Sequence, residues 1–430
     1  MDEPDVERIL WNPGIPGEGV AVMQLFHQRQ ILLGVTGSIA AYKAVELASR
    51  ISQAGACIDV ILTPAAQAFV SPLTFQSVTG RKAYTEADLW GAEGHVQHIG
   101  LAKRAELFMI APATANSMAK LAHGQADNLL TVTALATNCP VMLAPAMDGG
   151  MFTHPATQAN LEILRKRGVL ILGPAQGHLA SGLVGSGRML EPAEILAQAR
   201  LKLAEDGVLK GKHIVVTAGG THEAIDPVRV LTNRSSGKQG FALAQAALDL
   251  GARVTLVSAP VSLETPVGAQ RLDVQSAEEM RQAVMAVTSQ ADALLMAAAV
   301  ADFRPAMIAD QKIKKAGGFA AIELQPTVDI LKAVSLRKQE SGYPQVLVGF
   351  AAESRALIDN ARQKLQTKNL DLIVANDISA RDAGFTVDTN RVTLLFPDGR
   401  VQAQPLLSKA EVAVLVLEQV VKLLSDLEKN

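Results

Sequence analysis

Two stretches of the chain repeat one hydrophobic pattern. An apolar run at 31–35 meets the small turn Thr36-Gly37-Ser38, and residues 39–54 then carry apolar positions at helical spacing up to Gly55. A glycine there suits the left-handed position after a helix. Further apolar runs at 57–62, 107–111, 141–144 and 169–172 alternate with helix-patterned stretches. Uninterrupted apolar runs predict strands buried on both faces, and their alternation with helices predicts a parallel sheet. The pattern restarts at Lys212, with a strand at 213–217, the turn Ala218-Gly219-Gly220-Thr221, a helix at 240–250 before Gly251, and a strand at 254–257. The expected fold class is α/β, with two Rossmann-like three-layer domains, the second of them doubly wound. The expected organisation is an irregular tail at 1–29, a first domain at 30–195, a polar helical linker at 196–210 and a second domain at 211–425.

Composition narrows the class. At 430 residues, with 49% hydrophobic and 19% charged, the chain is globular and too long for one ordinary core. A net charge of −2 supplies no global field toward nucleic acid or anionic membrane, so neither is an expected partner. Two cysteines, Cys57 and Cys139, are too few for a disulfide framework and point to a reducing compartment. The start carries Asp2, Glu3, Asp5 and Glu7 where a secretory signal needs positive charge, and no later run is long enough to span a bilayer. A cytoplasmic protein is expected.

Both strand–turn–helix units can present free N–H groups to an anion. Neither turn has the spacing Gly-x-Gly-x-x-Gly, and the second strands end in Thr63 and Ser258 where a dinucleotide fold places an acidic residue. A P-loop ending in Ser236-Gly237-Lys238 fails because its first glycine falls on Thr232. NAD and P-loop chemistry are therefore not indicated.

Longer motifs are more specific. Gly34-Val35-Thr36-Gly37-Ser38-Ile39-Ala40-Ala41-Tyr42-Lys43 resembles the phosphate turn of the flavin-dependent cysteine decarboxylase family. Ala111-Pro112-Ala113-Thr114-Ala115-Asn116, Gly124-Gln125-Ala126-Asp127-Asn128-Leu129 and Pro145-Ala146-Met147-Asp148-Gly149-Gly150-Met151 resemble its later segments, in order. The resemblance implies a flavodoxin-like flavoprotein domain, with Gly37 and Ser38 at the FMN phosphate and Thr114, Ala115, Asn116 and Asp127 in the flavin site. It also implies that a cysteine thiol is oxidised to a thioaldehyde, the adjacent carboxylate leaves, and the enethiol is reduced. His98 falls at the family's catalytic histidine, and an imidazole suits proton removal from a thiol. His95 stands three residues earlier, yet no third metal ligand follows at useful spacing.

Two positions depart from the family. Asp148 replaces an asparagine that holds the substrate carboxylate; an ionised Asp148 about 4 Å from that group would cost about 4 kcal/mol at an effective dielectric of 20. A protonated Asp148, one turned away, or a helix N-cap are the readings open at this position. Ser181 replaces the flap cysteine of the reductive step, so either Ser181 relays a proton from water or His178, or the first domain is impaired.

From Lys212 the chain resembles the phosphopantothenate–cysteine ligase family. The motifs are Thr217-Ala218-Gly219-Gly220-Thr221, Asp226-Pro227-Val228-Arg229, Thr232-Asn233-Arg234-Ser235-Ser236-Gly237-Lys238, Ala297-Ala298-Ala299-Val300-Ala301-Asp302-Phe303, Lys312-Ile313-Lys314-Lys315, Gly349-Phe350-Ala351-Ala352-Glu353 and Ala375-Asn376-Asp377. The resemblance implies CTP and Mg²⁺, with Lys312 needed to form an acyl-cytidylate and Asn233 to handle it. Gly219, Ala298 and Phe350 are implied at the nucleotide, and Asp302 at the nucleotide or the metal. Arg229, Lys312, Lys364 and Lys368 can supply positive charge where a carboxylate attacks a phosphate; Lys364 and Lys368, four apart, are expected on one helix face. Both halves together resemble the bifunctional flavoproteins of coenzyme A biosynthesis, which implies homo-oligomers, trimeric through the flavin domain and dimeric through the ligase domain. The alternatives are a ligase with a non-catalytic flavin domain and a flavin-bound regulatory protein.

Overall fold

The computed structural model describes residues 25–90, 97–179, 182–314, 321–353, 355–377 and 387–429. The described chain divides into two compact units, one running to Leu203 and the other starting at Ala204.

In the first unit, β1 (Gln30–Val35), β2 (Cys57–Leu62), β3 (Ala83–Tyr84), β4 (Leu107–Ala113), β5 (Val141–Pro145) and β6 (Leu170–Ile171) form a parallel sheet in the order β3-β2-β1-β4-β5-β6. Without the two-residue edge strand β3 the order reads 2-1-3-4-5, that of flavodoxin-like sheets. Successive side chains of a strand face opposite ways, and β1 uses both faces. Ile31, Leu33 and Val35 join one core with helix Ala41–Gln53, while Leu32 joins another with helices Ala115–His123, Leu129–Ala136 and Pro155–Lys166. Gly34, between them, admits a helix: a Cβ there would stand 2.8 Å from Leu130 Cδ1. An antiparallel hairpin, β7 (Ala175–His178) and β8 (Val184–Arg188), leaves the sheet after β6.

The first unit is longer than expected at both ends. Phe26 is fully buried in its core, ahead of residue 30. Residues 196–203 are not a linker, because helix Pro192–Ala204 buries Ile195 and Ala199 in the same core. Two apolar residues four apart give that polar helix an inward face.

In the second unit β9 (His213–Ala218) comes first in the chain. The hairpin β10 (His222–Asp226) and β11 (Arg229–Thr232) follows, then β12 (Arg253–Ser258), β13 (Gln270–Asp273), β14 (Ala293–Met296), the short hairpin β15 (Phe303–Pro305) and β16 (Leu324–Pro326), β17 (Val346–Glu353), β18 (Leu372–Asp377), β19 (Thr389–Leu395) and β20 (Val401–Ser408). The main sheet runs β13-β12-β9-β14-β17-β18-β19-β20, its neighbours paired parallel except β18 with β19 and β19 with β20, which are antiparallel. Helix Lys238–Asp249 covers β9 and β12 and packs against helix Lys409–Lys429. Helices Ala277–Val287, Ile330–Ser341 and Leu357–Thr367 fill the other side. Among the described residues no helix is long and apolar enough to cross a membrane.

In both sheets the order reverses beside the first strand, between β1 and β4 and between β9 and β14. Ligands of open α/β sheets bind at the carboxyl ends of strands flanking such a reversal.

Candidate active sites

In the first unit a cleft of about 480 Å³ opens at the reversal, and Gly37, Thr114, Asn116 and Asp127 all line it. Four expected residues from three separate segments thus meet. Ser38 and Ala115 adjoin the lining residues in the chain. Gly37 lets the turn approach residue 65, since a Cβ at 37 would lie 2.5 Å from the Cβ of Ala65. The following helix begins at Ala41 with no side-chain cap. Ala40 N donates to Ser38 Oγ at 3.3 Å, Ala41 N to Ser38 O at 3.0 Å and Lys43 N to Ala40 O at 3.0 Å, so what this end offers an anion is chiefly the positive end of the helix dipole. Thr114 caps helix Ala115–His123 through Ser117 N, and Asn128 caps Leu129–Ala136 in a reciprocal box with Thr131. Asp127, exposed, is paired with Lys120 at 2.7 Å, and that ammonium holds its carboxyl below the usual range.

Thr36, which stands in the phosphate-turn motif without an expected role of its own, lies behind the cleft. Its buried hydroxyl donates to the carbonyl of Pro112 at 2.8 Å and accepts from Thr114 N at 3.0 Å, tying the two cleft turns together. Thr36→Val is expected to lower unfolding stability by about 1–3 kcal/mol by orphaning Thr114 N–H, with Thr36→Ser restoring it. Identical thermal unfolding of Thr36→Val and the parent would remove this bridge from the account.

Asp148 accepts from Gly150 N at 3.0 Å and caps helix Gly149–Thr153, the N-cap reading of this departure. Its turn is pinned to the β7–β8 hairpin by Met147 N donating to Gly187 O at 3.0 Å, and only a glycine fits there, as a Cβ at 187 would lie 2.2 Å from Met147 O. The hairpin pairing continues past β7 and β8 with Leu179 N donating to Leu183 O at 2.8 Å. Ser181 and His95 lie outside the described residues. His98 sits on helix Gln97–Arg104, and its Nδ1 is buried with no hydrogen-bond partner among the described residues. The far end of that helix is anchored by Arg104 Nε donating to the buried Asp59 at 2.7 Å, an acid that also holds Arg81 at 2.9 Å. His98 and Asp148 are not among the residues lining the cleft.

In the second unit the loops after β9 and β14 are laced together. Ala298 N donates to Thr217 Oγ1 at 3.0 Å, Ala299 N to Gly219 O at 2.8 Å, and Ala301 N to Thr221 Oγ1 at 2.9 Å. Asn233, just past β11, donates through Nδ2 to the carbonyls of Ala299 and Val300 at 3.1 and 3.2 Å. Gly219, Asn233 and Ala298 therefore share one site, with the exposed Asp302 four residues beyond Ala298. Phe350 follows Gly349, the partner of Met296 across the β14–β17 ladder, and so flanks the same loop.

The expected cations do not all behave alike. Arg229 donates through Nε and Nη2 to the fully buried side chain of Asp226, and Nη2 also reaches Ile313 O at 2.9 Å. Its guanidinium, about half exposed, is ion-paired to Asp226 and holds the Asp226 carboxyl far below the usual range. Lys364 pairs with Glu353 at 2.6 Å and Lys368 with Asp329 at 3.0 Å. Helix Leu357–Thr367 ends before Lys368, which is its C-cap. Lys312 is exposed and has no ion-pair partner among the described residues. Among those residues no three histidine, cysteine or acidic side chains gather around a metal position.

Comparison with known proteins places this geometry. A flavoprotein family model matches residues 22–203, and the model of the DNA/pantothenate metabolism flavoprotein C-terminal domain matches 209–424. The chain is 48% identical over 402 residues to the coenzyme A biosynthesis bifunctional protein CoaBC of Bacillus subtilis (strain 168), spanning 93% of this chain and 98% of that relative. The chain belongs to this family of bifunctional coenzyme A biosynthesis proteins. Its Escherichia coli (strain K12) member is 44% identical over 396 residues, 91% of this chain and 97% of the relative. A crystal structure of the C-terminal domain of a CoaBC protein is 41% identical, covering 51% of this chain and 100% of that one with a TM-score of 0.44. The two family matches meet where the two compact units divide.

Proposed function

We propose that the protein makes phosphopantetheine in two reactions, ligating cysteine to phosphopantothenate with CTP and decarboxylating the product with FMN. The observation that carries this reading is the 48% identity to a bifunctional relative across both units, with four expected cofactor residues meeting in one cleft.

The first unit suits FMN. Its cleft has a turn that tolerates only glycine at 37 and an uncapped helix start for the phosphate. When bound, FMN supplies two-electron redox chemistry at the substrate thiol. His98 takes the thiol proton. The Asp148 turn and its glycines receive the substrate carboxylate, and the β7–β8 hairpin closes the site from water, with Ser181 or His178 returning a proton. Gly37→Val is expected to overpack the turn by about 1–3 kcal/mol, lowering flavin retention about 10- to 100-fold. The purified variant would be paler than the parent; equal colour would contradict the assignment of this cleft.

In the second unit a phosphopantothenate carboxylate attacks the α-phosphorus of CTP and releases pyrophosphate. The cysteine amine then displaces CMP from the acyl-cytidylate. Lys312 offsets the charge of two approaching anions. Asn233 is held over the loop after β14, beside the acyl-cytidylate. Lys364 and Lys368 reach the nucleotide by exchanging partners. Magnesium needs only one or two protein carboxylates when phosphates complete its shell, and Asp302 is one. The protein works in the reducing cytoplasm, a reading supported by its two free cysteines. It forms homo-oligomers, trimeric at the flavin unit and dimeric at the ligase unit. Exposed Tyr42 and Trp90 on the first unit, and Val228, Phe303 and Met307 on the second, support that reading.

The test is an assay of the full chain with phosphopantothenate, cysteine, CTP and Mg²⁺, reading pyrophosphate and thiol products by mass. Phosphopantetheine is the expected product. Accumulated phosphopantothenoylcysteine would leave only the ligase, and no pyrophosphate would overturn the reading of the second unit.

A further inference from the structure

We propose that Asp226 is a positioning residue for Lys312, gripping the main chain on its carboxyl side; the inference rests on the ligase reading above. Asp226 ends β10, and its side chain is fully buried although its neighbours Val228 and Arg229 are exposed. Five donors meet its two oxygens. Oδ1 accepts from Val228 N and Arg229 N at 2.9 Å each. Oδ2 accepts from Arg229 Nε at 2.9 Å, from Arg229 Nη2, and from Ile313 N at 3.1 Å. The last bond leaves the hairpin, crossing 87 positions in sequence to the peptide that joins Lys312 to Ile313.

Arg229 completes the grip. Its Nη2 donates to Ile313 O at 2.9 Å. Both peptide groups of Ile313 are thereby fixed, one by the acid and one by the base. A further tie, Ala309 N to Ile225 O at 3.1 Å, holds the start of the same segment against β10. Lys312 sits between these ties, with its own side chain exposed. An ammonium on a four-carbon stem has little pre-organisation of its own, so the direction of its backbone decides where the charge can reach.

The same hairpin also delivers Asn233, one residue past the end of β11. Its turn therefore holds Lys312 and its far end holds Asn233. The side chain needed to form the acyl-cytidylate and the one that handles it are set by one rigid piece of chain. A misplacement of about 1 Å in such a group lowers turnover about 10²-fold.

The test uses the full chain with Asp226→Asn, which puts an N–H₂ where Arg229 and Ile313 N donate, and with Arg229→Lys, which removes the fork. Two quantities are read: pyrophosphate release from CTP and phosphopantothenate, split into kcat and KM, and amide hydrogen exchange in the segment 309–314. The expected result is a kcat lowered about 10²-fold with the KM for CTP unchanged, faster exchange at Ile313, and decarboxylation by the same preparation untouched. Arg229→Lys should show the same split to a smaller degree, and it decides alone if Asp226→Asn does not fold. Unchanged exchange at Ile313, or a rise in KM with kcat preserved, would overturn the proposal. A parent chain that releases no pyrophosphate would sink the ligase reading, while the exchange measurement would still judge the grip itself.

Discussion

Replacement of His98 by asparagine is expected to lower decarboxylation of phosphopantothenoylcysteine by about 10²–10⁴-fold, leaving pyrophosphate release from CTP at the parent rate. The reason lies in the surroundings of the ring. Nδ1 of His98 is buried and has no hydrogen-bond partner among the described residues. A buried polar atom without a partner costs about 1–3 kcal/mol and is uncommon in native folds. In the function proposed above, the substrate is that partner. Asparagine keeps a polar atom near that position but takes up no proton near neutrality. The helix should not move, because Arg104 at its far end is held by the buried Asp59. The measurement is product formation by mass in a preparation whose flavin content equals that of the parent. Full decarboxylation by the variant would end the case for His98 as the base.

Lys312→Met should lower pyrophosphate release by about 10²–10³-fold, the usual effect of deleting one group that stabilises developing charge. Carboxylate and triphosphate are both anions, and their approach needs a cation not already neutralised. Arg229 is bound to Asp226, Lys364 to Glu353 and Lys368 to Asp329. Lys312 has no such partner among the described residues. The loss should appear in kcat, with the decarboxylation of added phosphopantothenoylcysteine unaffected. A variant whose pyrophosphate burst matches the parent would shift the role to Lys364 or Lys368, whose ion pairs would then have to open.

The parts legible in sequence are those where one physical demand dominates. Strands β1 and β9 are buried on both faces, so their sequences are uninterrupted apolar runs. Gly55 and Gly251 end their helices at φ values of 90° and 86°, as their positions after the apolar pattern imply. The hairpins were not legible. All four residues of β11 are exposed and show no alternation, and β7 with β8 is rich in glycine. Helix Pro192–Ala204 hid its inward face among polar neighbours and reads as a linker.

The site divides the same way. Gly37, Thr114, Asn116 and Asp127 were found because they stand in long motifs. Thr36 and Thr217 stand in such motifs too, yet their roles were not legible, since their hydroxyls act on residues 78 and 81 positions away. Arg229 is the converse case. A lone arginine in an anion-binding motif reads as a ligand, and only the fold reveals that its partners are the adjacent acid and a carbonyl 84 positions downstream.

The division of the chain between Leu203 and Ala204 reaches beyond enzymology into genetics. Each half closes its own core, so damage to one reaction need not travel to the other. A cell with one gene copy carrying His98→Asn and a second carrying Lys312→Met would still make coenzyme A. Phosphopantothenoylcysteine released by the first product would be finished by the second. The same two changes placed in a single copy would leave the cell dependent on an outside supply of phosphopantetheine. Alleles of this one gene should therefore sort into two complementation groups, as if the locus were two.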